Sequence, residues 1–266
     1  MTNLTPHRRH RRPPRPATVL SVERLTPRMI SVRVGGLTDF ATPPPTAHIK
    51  VFLPADGQDS PTLPDAGPDG LVWPDEAQRP IVRTYTPRRF DPETGVLEIQ
   101  FALHGPGPAA AWADRAAVGD RLAIAGPGGR FDLDPAVSRW WIAGDESAIP
   151  AIATLLEALP AAAPADVHIE VDGPADEMPL PAGDSVTVTW HHRRSAEAWG
   201  EELYDAAVVA DLPSGTHVWI ACEAGAMRRV RTFLRSERGI PVTALTTRGY
   251  WRLGEANHPD HDHGED

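Results

Sequence analysis

The sequence predicts two joined units, an antiparallel β-barrel with one helix and then a doubly wound parallel α/β sheet. Three observations predict it. From Ala17 to about Asp134, short β-rich runs are split by Gly, Pro and Asp. From about Pro135 to Gly254, strand-like runs alternate with helical ones, the rhythm of a parallel sheet. The length of 266 residues, 41% of them hydrophobic, suits one large domain or two ordinary ones.

In the first half, "ATVLSVERLT", "MISVRVGG" and "HIKVFLP" read as strands. Residues 54–80 are rich in Pro, Asp and Gly and predict a surface loop. "RTYTPRR" and "VLEIQFAL" flank "FDPETG" and predict a hairpin. Pro87 lacks a ladder donor, so its strand is expected to be an edge or to carry a bulge. "PAAAWADRAA" predicts a helix, and "GDRLAIAGPGG" a strand with a turn.

In the second half, "RWWIAGD", "DVHIEV", "SVTVTWHHR", "HVWIACE" and "PVTALTTRGYW" predict strands. "SAIPAIATLLEALP", "SAEAWGEELYDAAVVA" and "GAMRRVRTFLRSERG" predict helices. No long internal repeat is present. Residues 1–16, with "HRRHRRPPRP", are expected to form a disordered basic tail. Residues 255–266 are expected to form a disordered acidic one. His258, His261 and His263 in that tail have no second ligand cluster, so no metal site is expected.

The net charge of −10 argues against a general nucleic-acid binder. A local basic pocket can still hold a small anion. The single cysteine, Cys222, rules out an intrachain disulfide. No run approaches the roughly 18 apolar residues of a membrane span. The basic N-terminus lacks a following apolar core, so no secretory signal is expected. A cytoplasmic monomer without membrane or nucleic-acid partners is the expectation. Lys50 is the only lysine, so arginine is the general cation here and its positions carry more than its count.

One strand is chemically dense. "IVRTYTPRRF" brings Arg83, Thr84, Tyr85, Thr86, Arg88 and Arg89 together. A guanidinium can hold a pyrophosphate. A phenol can lie against a planar ring, and a hydroxyl can bond a ring nitrogen. A flavin suits that set; a polar edge strand is the plain alternative. "HGPGPAAAWA", residues 104–113, ends a strand and opens a helix. Its glycines allow close backbone approach, and its helix start favours phosphate. "GDESAIPA", residues 144–151, follows the first strand of the α/β half. Asp145 or Ser147 is the expected N-cap, with Pro150 in the first turn. In an open α/β sheet this is where a dinucleotide phosphate sits. A well-capped helix without ligand is the alternative, since no GxGxxG is present. "HHRR", residues 191–194, ends the third strand. Arg193 or Arg194 there is a candidate partner for the 2′-phosphate of NADPH, with NADH left open.

Taken in order, "RTYTPRRFD", "HGPGPAAAWA", "GDRLAIAGPGG", "WIAGDESAIPAIATLLEALP", "WIACEAGAMRRVRTFLRSERG" and "GYWRLG" resemble the siderophore-interacting proteins. These are flavin-dependent ferric-siderophore reductases of the ferredoxin-reductase-like superfamily. The resemblance spans about residues 17–254. It implies a Greek-key FAD barrel over 17–134 and an NAD(P)H domain over 135–254. It implies flavin contacts from Arg83, Thr84, Tyr85, Thr86 and Arg88, and from His104, Gly105, Pro108, Ala109 and Trp112. Trp251, beside Tyr250, is placed near the flavin face. Gly144, Asp145, Glu146, Ser147, Pro150, Arg193 and Glu223 fall to the nicotinamide nucleotide. Lys50, Arg248 and Arg252 are expected to form a basic pocket for an anionic ferric siderophore.

The family usually reads Ala-Gly-Glu where this chain has Ala221-Cys222-Glu223; a small buried thiol is the preferred reading of Cys222. The activity implied is electron transfer from NADPH or NADH through FAD to chelated Fe(III), releasing Fe(II). Hydride carries two electrons and iron accepts one, so a flavin must mediate. No side chain is assigned an acid, base or nucleophile role. A non-catalytic siderophore- or flavin-binding module and a general NAD(P)H:flavin oxidoreductase are the competing readings.

Overall fold

The computed structural model describes residues 13–67, 70–74, 79–105, 107–129, 131–195 and 198–255. The first half builds β1 (Arg15–Thr26), β2 (Met29–Gly35), β3 (His48–Leu53), β4 (Asp65–Gly67), β5 (Gly70–Val72), β6 (Ile81–Tyr85), β7 (Pro87–Asp91), β8 (Val96–Ala102), α1 (Pro108–Arg115) and β9 (Arg121–Gly128). Seven of these strands form one antiparallel sheet in the order β6-β3-β9-β1-β2-β8-β7. Its two edges, β6 and β7, are separated in sequence by Thr86 alone. The chain itself therefore passes straight from one edge to the other and curls the sheet into a barrel.

Period-2 alternation fills the interior. Ile49, Val51 and Leu53 of β3, Leu97, Ile99 and Phe101 of β8, and Leu122 and Ile124 of β9 are buried in one cluster. Ala109, Trp112 and Ala113 seat α1 in the same cluster. The expected hairpin is present as β7 paired with β8. Pro87 faces Ile99 and Arg89 faces Glu98, so Arg88 is the extra residue of a bulge.

Two expectations are corrected. β1 starts at Arg15, inside the expected tail, because Arg15 and Pro16 pair with Ile124 and Ala123 of β9. The expected loop over 54–80 contains β4 and β5, a two-stranded antiparallel ribbon. His258, His261 and His263 lie outside the described residues, as do residues 1–12.

The second half builds β10 (Arg139–Asp145), α2 (Ile149–Ala158), β11 (Ala165–Val171), β12 (Val186–His192), α3 (Glu201–Val209), β13 (Thr216–Glu223), α4 (Ala224–Ser236) and β14 (Leu245–Trp251). The sheet runs β12-β11-β10-β13-β14, with every neighbouring pair parallel. Trp140 and Ile142 of β10 pack with Ile152 and Leu155 of α2. Trp141 and Ala143 pack with Leu203 of α3 and Met227 and Val230 of α4. Helices thus cover both faces, as a doubly wound sheet requires. The helix expected from residue 195 begins only at Glu201. Gly200 turns the chain first, with φ of +73° and no room for a side chain beside Ala226.

The two halves are pressed together. Met29 and Ala102 from the barrel are buried in the same apolar cluster as α2. The Arg28 amide donates to Asp176 at 2.9 Å, and the Thr46 amide to Thr154 at 3.0 Å. The sheet's switch point, where β10 lies between β11 and β13, ends at Asp145 and Glu223.

Candidate functional site

Asp145 organises the end of the parallel sheet. It is 2% exposed, yet its carboxylate accepts four hydrogen bonds. Oδ1 takes the Ser147 amide at 3.0 Å and the Ser147 hydroxyl. Oδ2 takes the Glu223 amide at 2.9 Å and the Trp251 indole at 2.8 Å. Burial raises the carboxyl's pKa, and these hydrogen bonds oppose the rise. Of the two cap candidates in the sequence, Asp145 is the N-cap of the short turn leading into α2, and Ser147 donates to it. Glu223 caps α4 in the same way, accepting the Ala226 amide at 2.8 Å, and also accepts the Leu253 amide at 3.3 Å. One carboxylate pair therefore ties β10, β13 and the end of β14 into one crevice floor. Gly144 serves packing here: a Cβ would stand 2.8 Å from the Ala221 carbonyl oxygen. Pro150 is buried in the first turn of α2.

The barrel's closing strand meets this crevice at Thr86. Thr86 lies beside the Tyr250 phenol of β14 and favours its charged form. Burial pushes the Tyr250 phenol up to about 12. Two residues back along the strand, Thr84 accepts from Lys50 Nζ at 2.7 Å. The side chains between them turn the other way. Tyr85 packs on Phe101 of the barrel core at 4.4 Å between ring centroids. Burial raises its phenol's pKa, and Arg83 lowers it by less. One terminal nitrogen of Arg83 donates to the Val82 carbonyl at 2.8 Å.

His104 closes the seam from the barrel side. Its ring stacks on Trp251 at 4.4 Å, and Trp251 meets Trp199 edge-on at 4.6 Å. Burial lowers the His104 pKa. Gly105 takes φ of +152°, and Gly107 caps α1 with no side-chain cap bond. Nothing lies within 4 Å of a Cβ built on either glycine. α1 begins directly after Gly107, at Pro108.

Several expected ligand residues are spent elsewhere. The bulge turns Arg88 away from the flavin set. Both its terminal nitrogens bond Glu157 of α2, at 3.0 and 2.9 Å, so it clamps the two domains. Trp112 and Ala109 are core residues; Trp112 packs on Phe101 at 5.7 Å. Arg193 is buried against Glu146, with Glu170 at 3.6 Å and Asp172 at 3.5 Å. Its guanidinium lies 3.8 Å over the Trp199 ring. Burial opposes that charge, but Glu146, Glu170 and Asp145 outweigh it and raise its pKa. Arg193, expected to meet the nucleotide, is thus the centre of a buried ion-pair cluster. Arg194 is exposed and pairs with Glu202 at 2.7 Å and Asp205 at 2.6 Å.

Of the expected cationic trio, Arg248 sits beside Tyr250 and is half-buried, with burial lowering its pKa. Arg252 instead pairs with Glu255 at 3.2 Å. Cys222 is buried in the α3–α4 face, its thiol pushed well above its ordinary value by burial and nearby carboxylates.

Glu157, Glu170 and Trp199, not singled out from the sequence, hold Arg88 and Arg193 here. Glu170 had a signal, an acid some twenty residues beyond the first strand of a doubly wound sheet. Trp199 had none, because it lies in a run that reads as helix.

The two halves match two family models, the siderophore-interacting FAD-binding domain over residues 18–131 and the siderophore-interacting protein over residues 137–254. The chain belongs to the siderophore-interacting protein family. An uncharacterised protein of Mycobacterium tuberculosis is 39% identical over 253 residues, covering 89% of each chain. The ferric vibriobactin reductase of Vibrio cholerae is 32% identical over 220 residues, covering 81% of this chain and 80% of its own. A siderophore utilization protein from T. fusca superposes with a TM-score of 0.83 at 34% identity, covering 93% of this chain and 96% of its own. Solved ferredoxin reductases at 18% and 10% identity share the fold. No described helix is long and apolar enough to cross a membrane.

The residues present fit FAD. Gly105 and Gly107 stand in open space at the start of α1, where a phosphate can approach the backbone closely, and Arg83 lies on β6, which touches α1. The crevice between β10 and β13 fits a pyridine nucleotide by its topology.

Proposed function

We propose that this chain is an FAD-dependent ferric-siderophore reductase that draws electrons from a nicotinamide nucleotide. The observation that carries the reading is the seam itself. His104, on the barrel side, stacks on Trp251 at the end of the parallel sheet, and Thr86 lies beside Tyr250. A group held by the barrel strand and one held at the sheet end would meet there. FAD, when bound, supplies the conversion of a two-electron donor into single electrons.

The chain's own residues would do the rest. Arg83 and the α1 amides would hold the pyrophosphate, and Thr86 would present its hydroxyl at the ring edge. Asp145 and Glu223 would keep the crevice floor rigid, since Asp145 ties together Ser147 after β10, Glu223 at the end of β13 and Trp251 at the end of β14. Lys50 and Arg248 flank the Thr84–Thr86 edge and would attract an anionic ferric chelate. That attraction is strengthened by their partial burial. Hard oxygen donors hold Fe(III) far better than Fe(II), so reduction releases the metal without breaking the chelator. The likeness to a ferric vibriobactin reductase supports this substrate class.

The test is anaerobic absorbance of the FAD-loaded protein. A nicotinamide nucleotide is added first, then a ferric siderophore with a ferrous trap. Bleaching, return of the flavin bands and trapped Fe(II) are expected. A flavin that bleaches but yields no Fe(II) with any siderophore would leave a general flavin oxidoreductase.

A further inference from the structure

We infer that the nucleotide taken by this protein is NADH rather than NADPH, because the corner that would meet the adenosine ribose holds more carboxylates than its arginines can neutralise. The inference rests on the reductase reading above. In a doubly wound sheet the ribose lies at the ends of the strands beyond the first, here β11 and β12. Selecting NADPH requires an arginine free to pair with a 2′-phosphate.

At this corner Arg193, Arg194 and Arg28 already have acids. Arg193, 1% exposed in its side chain, is held by Glu146, Glu170 and Asp172. Arg194 is held by Glu202 and Asp205. Arg28 reaches in from the barrel and pairs with Asp172 at 2.8 Å. Glu177 is the sixth carboxylate and takes His192 at 2.8 Å.

Six carboxylates therefore face four arginines whether the ribose lies at the end of β11 or of β12, and the fourth, Arg229, is engaged by the Trp199 carbonyl at 2.8 Å. A 2′-phosphate would have to displace an acid from its arginine and then sit beside the displaced carboxylate. A ribose 2′-hydroxyl brings no charge, and a half-exposed carboxylate such as Asp172 is an acceptor for it. The discrimination is by repulsion, and Arg193 cannot relieve it, since freeing its guanidinium would strand Glu146 and Glu170 in the interior.

The experiment compares the rates at which equal concentrations of NADH and NADPH bleach the FAD-loaded protein without oxygen. NADH is expected to be faster by on the order of tenfold or more, with the gap narrowing at high salt. Equal rates, or a faster NADPH, would overturn the inference and leave the reductase reading standing. Bleaching by neither, while chemically reduced protein still yields trapped Fe(II), would remove the nicotinamide donor and the inference with it. Glu202→Gln with Asp205→Asn frees Arg194 on the surface. The NADPH-to-NADH rate ratio should then rise several-fold; an unchanged ratio would overturn the role given to these carboxylates.

Discussion

Trp251 donates its indole N–H to Asp145 Oδ2 at 2.8 Å, across 106 positions of sequence. The same indole stacks on His104 of the barrel. One side chain therefore satisfies a buried carboxylate in one domain and packs against the other. Trp251→Phe keeps a ring for the stack and removes the donor. It should cost about 1–2 kcal/mol of stability, the loss of one of the two hydrogen bonds to a charged Oδ2 that keeps the Glu223 amide. Denaturant unfolding measures this, and a loss near zero would mean that Asp145 finds another donor.

Arg83→Ala should weaken FAD binding by about tenfold or more, as loss of a charge-assisted contact does. Flavin retained per chain after purification reads this directly. Unchanged retention would sink the assignment of Arg83 to the pyrophosphate.

Lys50→Ala combined with Arg248→Ala should raise the KM for an anionic ferric siderophore about tenfold while FAD stays bound. A neutral ferric chelate should show a smaller change. Equal effects on both chelates would remove the case for an electrostatic pocket.

Glu157→Ala strands the Arg88 guanidinium between the domains. Its partner is partly exposed, so the cost should be moderate, about 1–2 kcal/mol. Arg88→Ala should leave flavin retention near that of the parent. Lost retention would return Arg88 to the flavin set.

His168 and His191 lie 3.0 Å apart on neighbouring strands. Burial, followed by the charge of His191, lowers His168 to about 4; burial also lowers His191. A depressed folded value means that the unfolded chain binds the proton more readily. Stability from this pair is therefore complete above the ordinary imidazole value and falls as the pH drops from about 6.5 toward 4. Glu170, raised to about 7 by burial, has the opposite slope, so the comparison must be with a variant. His168→Asn should remove about 1–2 kcal/mol of the acid-side loss, discounted because the ring is partly exposed. Parallel pH profiles for parent and variant would show that the pair does not titrate in this way.

The sequence by itself determined the elements and their grouping. "RWWIAGD" is β10 to the residue, because a fully buried parallel strand is written locally as an apolar run. The Asp145 cap was legible too, since capping is a contact within three residues. Tertiary structure decided which charges remain available. Arg88 and Arg193 look like ligand arginines in sequence, yet each ends on a carboxylate 47 or more positions away. Trp112 sits in a ligand motif and faces the barrel core, because helix position rather than motif sets its direction. The barrel's closure through Thr86 was equally hidden: pairing of β6 with β3 and of β7 with β8 is long-range in one case and local in the other. Burial makes an unpaired charge expensive, so the fold gives each interior arginine a carboxylate, and which one depends on chain crossings that no local pattern encodes.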